Sequence, residues 1–302
     1  MIKEKFDGLA IVLLILLCML FGLNQVVVKF GLEGISPLMQ AGLRSLGATF
    51  LLMGWMRYRG ETIFYRDGAG WWGVLIGILF TGEFLFLYQG LTLTSASHAT
   101  IFLYTSPFIV ALGAHFFIPG ETLRLGQIGG LAIAFSGVVL AFSDSLTEQA
   151  SEQTSVLGDL LVLLGAIFWG ATTVVLKASP QRHQSPARVL LYQLAVSAIA
   201  LLVLSALLGE TGVTDLNVTV AASLLFQTVL MAFVGYLAWF WLLSHYQAAK
   251  VASFTFLTPL FGVLFAWLIL DESITANMVA ALILVALGIY LVNKPRSIVR
   301  AG

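Results

Sequence analysis

Apolar residues run along this chain in ten long stretches separated by short polar turns. A helix needs about 20 such residues to cross the hydrocarbon core of a bilayer. Stretches of that kind lie at 9–29, 37–56, 71–93, 97–118, 125–142, 157–177, 187–208, 219–243, 249–270 and 274–292. Each predicts a membrane-spanning helix, numbered here as spans 1 to 10. The runs are continuous and lack the alternation of a transmembrane β-strand. Thr94-Ser95 and Tyr246-Gln247-Ala248 leave almost no loop, so spans 3 and 4, and spans 8 and 9, must be antiparallel hairpins. Lys3 and Lys5 precede the first stretch as in a secretion signal. That stretch is too long for a signal core and has no small-x-small cleavage site, so it reads as a retained first span.

The pattern then repeats. Phe21-Gly22-Leu23-Asn24-Gln25-Val26-Val27-Val28-Lys29 in span 1 corresponds to Trp169-Gly170-Ala171-Thr172-Thr173-Val174-Val175-Leu176-Lys177 in span 6. Ala96 to Glu121 matches Ala248 to Glu272, aligning Pro107 with Pro259 and Glu121 with Glu272. Each copy holds five spans, and an odd number forces the second copy to enter the bilayer facing the other way. The expected fold is an all-α integral membrane protein, ten transmembrane helices as two inverted five-helix repeats. The expected boundaries are 1–142 for the first repeat, 143–156 for an outer linker, 157–294 for the second repeat and 295–302 for a tail. Inverted repeats of this kind build carriers that alternate between two sides of a membrane.

Composition agrees with the spans. The chain is 59% hydrophobic and 10% charged, with a mean hydropathy of +0.98, against roughly a quarter charged residues in soluble domains. The formal net charge is zero, which gives no electrostatic case for nucleic acid. With the N-terminus in the cytoplasm, thirteen of the fifteen Lys and Arg residues fall on or near the cytoplasmic side. Lys29 alone falls outside, and Arg44 lies within span 2. Basic residues set topology, so both termini are expected in the cytoplasm. The acidic segment 143–155 then lies outside as a solvated linker. Segment 57–70, with Ile63, Phe64 and Tyr65 among charges, is an interfacial amphipathic piece or an ordinary loop. The single cysteine, Cys18, cannot form an intrachain disulfide and reads as a small packing residue.

The junctions after spans 4 and 9 carry the most specific signature. One reads Ser106-Pro107-Phe108, then Gly120-Glu121-Thr122-Leu123, Gly126-Gln127, Gly129-Gly130 and Gly137-Val138-Val139-Leu140. The other reads Thr258-Pro259-Leu260, then Asp271-Glu272-Ser273-Ile274 and Gly288-Ile289-Tyr290-Leu291. Together with the ten spans they resemble the drug/metabolite transporter superfamily, EamA-type, over nearly the whole chain. Within it the chain is most similar to bacterial amino-acid and metabolite exporters, including the aromatic amino-acid exporter. The resemblance implies a secondary transporter in the bacterial inner membrane that exports small metabolites, amino acids foremost, by alternating access. It also implies a central cavity lined by spans 1–4 and 6–9, with spans 5 and 10 at the back. Drugs or other metabolites are the alternative cargo.

Glu83, midway along span 3, is the costliest residue in the chain, since an unpaired charge at that depth opposes insertion by roughly 2.5–3.5 kcal/mol. It is either a proton or substrate site or a static partner of Arg44. Pro107 and Pro259 each remove a backbone donor within an apolar span and read as hinges, with a fixed kink as the plain alternative. Glu121 and Glu272 stand before the next helix and read as N-terminal caps. His98 and Lys250 open spans 4 and 9, where each either attracts a substrate carboxylate or merely reaches the interface. Asn24, Thr172, Tyr88, Phe102, Trp169, Tyr236 and Trp239 place polar and aromatic groups on the expected cavity spans. Any one of these aromatics is ordinarily packing. As a set they suit an amphipathic metabolite.

No Walker phosphate loop and no His-Glu-x-x-His pair occurs, so neither ATP hydrolysis nor metal catalysis is expected. The chain is expected to have no cofactor and no metal, and a membrane-embedded enzyme is the disfavoured rival. A channel is a second rival, against which the inverted repeat argues. The expected partners are a small-molecule substrate and the lipid bilayer. The small residues of spans 5 and 10, among them Gly130 and Gly288, serve close helix packing or homodimer contact.

Overall fold

The computed structural model describes residues 3, 5–63, 70–91, 93, 102–141, 156–270 and 276–294. These residues are almost wholly helical, and no strand occurs among them. The helices are α1 (Gly8–Leu32), α2 (Pro37–Tyr58), α3 (Gly70–Leu91), α4 (Ser106–Phe117), α5 (Leu125–Ala141) and α6 (Val156–Ala178). They continue as α7 (Pro186–Leu207), α8 (Val218–Phe226), α9 (Tyr236–His245), α10 (Ala248–Ser253), α11 (Leu257–Leu270) and α12 (Ala276–Asn293). Five stretches are long and apolar enough to cross a membrane: 8–32, 70–90, 156–178, 186–207 and 218–245. Shorter apolar helices stand beside them. Large apolar side chains face outward, among them Phe50, Leu225 and Ile283, each about two-thirds exposed. Such a surface suits lipid as solvent, where every backbone polar group must be satisfied inside the helix.

Spans 8 and 9 are each expected as one helix, and the structure corrects both. Residues Gln227–Gly235 between α8 and α9 form a π-helix. The Thr228 hydroxyl donates to the Leu224 carbonyl at 2.7 Å, a back-bond that disturbs regular helix. Span 9 divides into α10, a short 3₁₀ turn at Phe254–Phe256, and α11. The prolines account for much of this. Pro107 is the second residue of α4 and Pro259 the third of α11. Both therefore open a helical segment instead of interrupting one, at positions where the missing N–H costs least.

Helix packing obeys a two-fold exchange. Span 1 packs on span 9 and span 6 on span 4; span 3 packs on spans 6 and 7, and span 8 on spans 1 and 2. Spans 2 and 7 pack on each other, as do 5 and 10. Adding five to both members of each of these pairs gives another of them. The matched glycines sit at these contacts. A Cβ on Gly22 would lie 2.7 Å from the Gly262 nitrogen, and one on Gly170 would lie 2.6 Å from Ile109 Cγ2. Glycine thus lets the Ile109 side chain of span 4 seat on the backbone of span 6, and lets spans 1 and 9 approach backbone to backbone. Gly130 and Gly288 do the same between α5 and α12, where a Cβ on Gly288 would lie 2.5 Å from the Gly130 carbonyl oxygen.

The ends of α2 and α7 are tied reciprocally. Each closes on a left-handed glycine, Gly60 at φ 71° and Gly209 at φ 70°. The following glutamate amides reach back to the Met56 and Ser205 carbonyls at 2.9 and 3.0 Å, completing Schellman caps. The Glu210 carboxylate then accepts the Leu38 and Met39 amides at 3.0 Å each, together with the Ser36 and Ser205 hydroxyls at 3.1 and 2.7 Å. At the other end the Ser185 hydroxyl donates to Glu61 at 2.9 Å. The C-terminus of each helix therefore meets the N-terminus of the other, and the two run antiparallel.

Candidate functional site

Two clusters hold the described polar and aromatic residues expected to line a cavity. The first lies between α1, α2, α3 and the π-helix/α9 junction. Phe80, Phe84 and Tyr88 recur every four residues on α3 and so share a face. Phe80 meets Phe84 at 4.9 Å between ring centroids and Tyr236 at 5.8 Å. Phe84 meets Tyr88 at 6.1 Å, and Phe21 bridges to Tyr236 at 6.2 Å and Trp239 at 6.0 Å. Asn24 is one turn from Phe21 on α1; it is buried, and its Oδ1 has no protein donor among the described residues. The π-helix raises the question of what sets this geometry. It shifts the face of every residue after it, so the places of Tyr236 and Trp239 could not be read from a regular helical period.

Arg44 and Glu83 stand in this cluster, 2% and 9% exposed. They do not form an ion pair within 4.0 Å, which corrects the static-pair reading of Glu83. The Arg44 guanidinium instead lies 4.5 Å from the Phe84 ring centroid and 5.9 Å from that of Tyr236. Such cation–π contacts offset part of the cost of burying the charge. Nε and Nη2 of Arg44 and Oε2 of Glu83 have no protein hydrogen-bond partner among the described residues.

The second cluster lies between α4 and α6. Trp169 stacks edge-on to Tyr104 at 6.0 Å. Phe102 packs on Leu103, Val162 and Ala166. Thr172 is buried, but its hydroxyl already donates to the Phe168 carbonyl at 2.9 Å, which leaves less for a ligand. The residues from sequence thus divide: Asn24, Glu83, Tyr88, Tyr236 and Trp239 fall in the first cluster, and Phe102, Trp169 and Thr172 in or beside the second. His98 and Glu272 lie outside the described residues.

A third constellation ties one end of the bundle. Glu121 does not cap α5, the helix that follows it. Its carboxylate accepts the Ala248 amide at 2.8 and 3.1 Å, at the start of α10 in the other half. It also pairs with Lys177 Nζ at 2.9 Å, where both side chains are nearly enclosed. Lys177 donates further to the Tyr246 carbonyl. The glutamate thus serves as a helix-terminal anion, but for a distant helix. A cleft of about 340 Å³ beside this latch is lined by Lys177, Arg182, His183 and Gln184. A second of about 170 Å³ is lined by Glu121, Arg124, Gln127 and Lys250. Lys250 is 4% exposed, so it does not reach out to an interface as expected. Neither cleft is lined by Arg44, Glu83, Tyr88 or Tyr236.

At the same end Asp7 caps α1 by accepting the Ala10 amide at 2.9 Å. It also accepts the Lys3 ammonium and the Tyr246 hydroxyl, each at 2.9 Å. The Lys3 ammonium first, then the Ala10 amide and the Tyr246 hydroxyl, lower its carboxyl from 3.8 to about 2. At the opposite end Glu210 is partly buried, which opposes ionisation. Its hydrogen bonds outweigh that effect and hold its carboxyl below the usual range.

The EamA-like transporter family matches residues 8–143 and 156–294. The chain is 29% identical over 297 residues to a probable amino-acid metabolite efflux pump of Escherichia coli (strain K12), covering 95% of each chain. It is 25% identical over 274 residues to the transporter YoaV of Bacillus subtilis (strain 168), covering 90% of this chain and 92% of that one. A solved crystal structure superposes with a TM-score of 0.79 at 15% identity, covering 97% of this chain and 99% of the other. At that identity the likeness shows the fold alone.

Proposed function

As the chain belongs to the EamA-like transporter family, we propose that it is a secondary exporter of small metabolites, with amino acids, aromatic ones included, as the favoured class. The single observation that carries the reading is the aromatic-walled polar cluster between the two halves. Transporters built from repeats hold substrate where the halves meet, and this cluster joins spans 1, 2 and 3 to span 8. Phe21, Tyr88, Tyr236 and Trp239 offer faces for an apolar or aromatic side chain. Asn24 and Glu83 offer polar contacts. Pro107 and Pro259 start the segments on which spans 4 and 9 would pivot.

The same reading has ten crossings in two inverted five-span repeats. It is supported by the antiparallel, mutually capped pair α2 and α7, because a two-fold axis that exchanges antiparallel helices lies perpendicular to them. It is also supported by which turns touch. Lys3 bonds His245, Glu61 bonds Ser185, and Glu121 bonds Lys177 and Ala248. All are turns that the basic residues assign to the cytoplasm. Ser36 bonds Gly212 and Glu210, both assigned outside. The protein would work in an inner membrane with both termini cytoplasmic, without cofactor or covalent chemistry.

Efflux from proteoliposomes preloaded with a panel of amino acids, with and without a pH gradient, tests this. Saturable efflux of bulky apolar or aromatic amino acids is expected. Retention of every amino acid in the panel, with efflux of unrelated metabolites, would defeat the substrate reading.

A further inference from the structure

We propose that Arg44 and Glu83 form a split-charge clamp for a zwitterion, Arg44 taking the carboxylate of an α-amino acid and Glu83 its ammonium group. The inference rests on the exporter reading above and assigns the two ends of its substrate. Opposite charges buried in one apolar chamber ordinarily pair, because each then offsets the other's desolvation. Here they do not. Arg44 keeps two nitrogens, Nε and Nη2, without a protein acceptor, and Glu83 keeps Oε2 without a donor. Both charges lie beside the aromatic wall: Arg44 reaches from α2 to within 4.5 Å of the Phe84 ring centroid and 5.9 Å of that of Tyr236, and Glu83 directly precedes Phe84 on α3. Nε and one Nη are two prongs of the guanidinium fork, which matches the two oxygens of a carboxylate. The lone carboxylate oxygen matches an ammonium donor.

Net charge favours the same class of ligand. Arg44 and Glu83 sum to zero, and so does an amino-acid zwitterion. Binding therefore brings no net charge into the low-dielectric interior, where an uncompensated charge is costly. A plain carboxylic acid or a plain amine would satisfy one residue and leave the other alone with a surplus charge. The wall supplies the rest of the recognition, since the contacting rings of Phe80, Phe84, Tyr88 and Tyr236 stand beside Arg44 and offer apolar faces to a substrate side chain. In this conformation the Phe84 and Tyr236 rings cover the guanidinium. Access requires these rings to move off Arg44, as a rocking of one half against the other would allow, since Tyr236 belongs to the second half and Arg44 to the first.

The test is competition against L-phenylalanine uptake in counterflow with the full-length protein in proteoliposomes. The competitors are 3-phenylpropionate, which lacks the ammonium, and phenethylamine and phenylalaninamide, which lack the carboxylate. In wild type all three should compete roughly ten- to a hundred-fold more weakly than phenylalanine, the span expected for one charged hydrogen-bonding contact. Arg44→Gln should lose phenylalanine affinity by a similar factor and bring phenylalaninamide level with it. Glu83→Gln should bring 3-phenylpropionate level instead. Arg44→Lys keeps the charge without the fork and should fall between wild type and Arg44→Gln. If the variants fail to fold, the wild-type competitor series still decides. Equal competition by all four compounds would overturn the clamp while leaving amino-acid export standing. Absence of any phenylalanine counterflow, with transport of other amino acids blocked equally well by their deaminated analogues, would also overturn it. Absence of transport for every amino acid would remove the clamp and the exporter reading together.

Discussion

Replacing Glu121 by alanine removes three contacts at once. Lys177 Nζ loses its only anionic partner among the described residues, and the Ala248 amide at the start of α10 loses its acceptor. Side-chain exposures of 4% for Lys177 and 6% for Glu121 decide the size of the effect. An exposed pair contributes about 0–1 kcal/mol, whereas breaking a buried one by deleting a partner costs about 3–5 kcal/mol. The lost cap adds about 0.5–2 kcal/mol. Glu121→Ala should therefore destabilise by roughly 3.5–7 kcal/mol. Lys177→Met should cost less, because Glu121 keeps the Ala248 amide. The double variant Glu121→Leu with Lys177→Met leaves no buried charge unpaired. It should recover much of the loss, giving a coupling of about 0.5–3 kcal/mol. Equilibrium unfolding in mixed micelles of dodecyl maltoside and SDS, followed by circular dichroism, measures all three. Single substitutions that each cost under about 1 kcal/mol, and that simply add in the double variant, would refute the latch as a buried, mutually dependent unit.

Leucine at Gly22 or at Gly170 should each destabilise by at least about 1–3 kcal/mol in the same assay. The nearest atoms to a Cβ there are 2.7 and 2.6 Å away, and tolerance of both would show that the spans do not press together at those points. Glu210→Ala should cost about 0.5–2 kcal/mol and more than Glu61→Ala. Glu210 is the acceptor for two α2 amides, whereas at α7 the Ser185 hydroxyl itself accepts the Arg188 amide at 3.3 Å; the reverse order would contradict this. The folded carboxyl of Asp7 is lowered from 3.8 to about 2. Its contribution is therefore complete above the unfolded value and disappears as pH falls through that window. Asp7→Asn should flatten the acid side of the stability profile between those two values, and profiles of equal slope would rule the contribution out. In a Cys18→Ala background, a cysteine at Thr211 should react with an impermeant maleimide on intact cells and one at Arg182 only after lysis, and the opposite pattern would invert the assigned topology.

Much of the protein is legible without coordinates because the deciding quantities are local. The apolar runs predict helices, since backbone groups in lipid must bond within their own segment. The matched Gly22 and Gly170, and Pro107 and Pro259, reveal the repeat because identical contacts need identical small or imino residues. The Ser36-Pro37 and Ser185-Pro186 helix starts, with Gly60-Glu61 and Gly209-Glu210 at the helix ends, are an equally clear sequence signal of the repeat. Glu83 is conspicuous because charge in an apolar run is costly wherever it falls. Tertiary structure alone decided who meets whom. Glu121 resembles a cap for α5, yet the amide it accepts is that of Ala248, brought in by packing of the second half. The π-helix before Tyr236 rotates the following face in a way no regular period predicts. Arg44 and Glu83 are each expensive, and the sequence leaves open whether they neutralise one another or serve a proton or substrate site. Whether two charges touch depends on the relative depth and rotation of α2 and α3, which are set by the aromatic side chains between them.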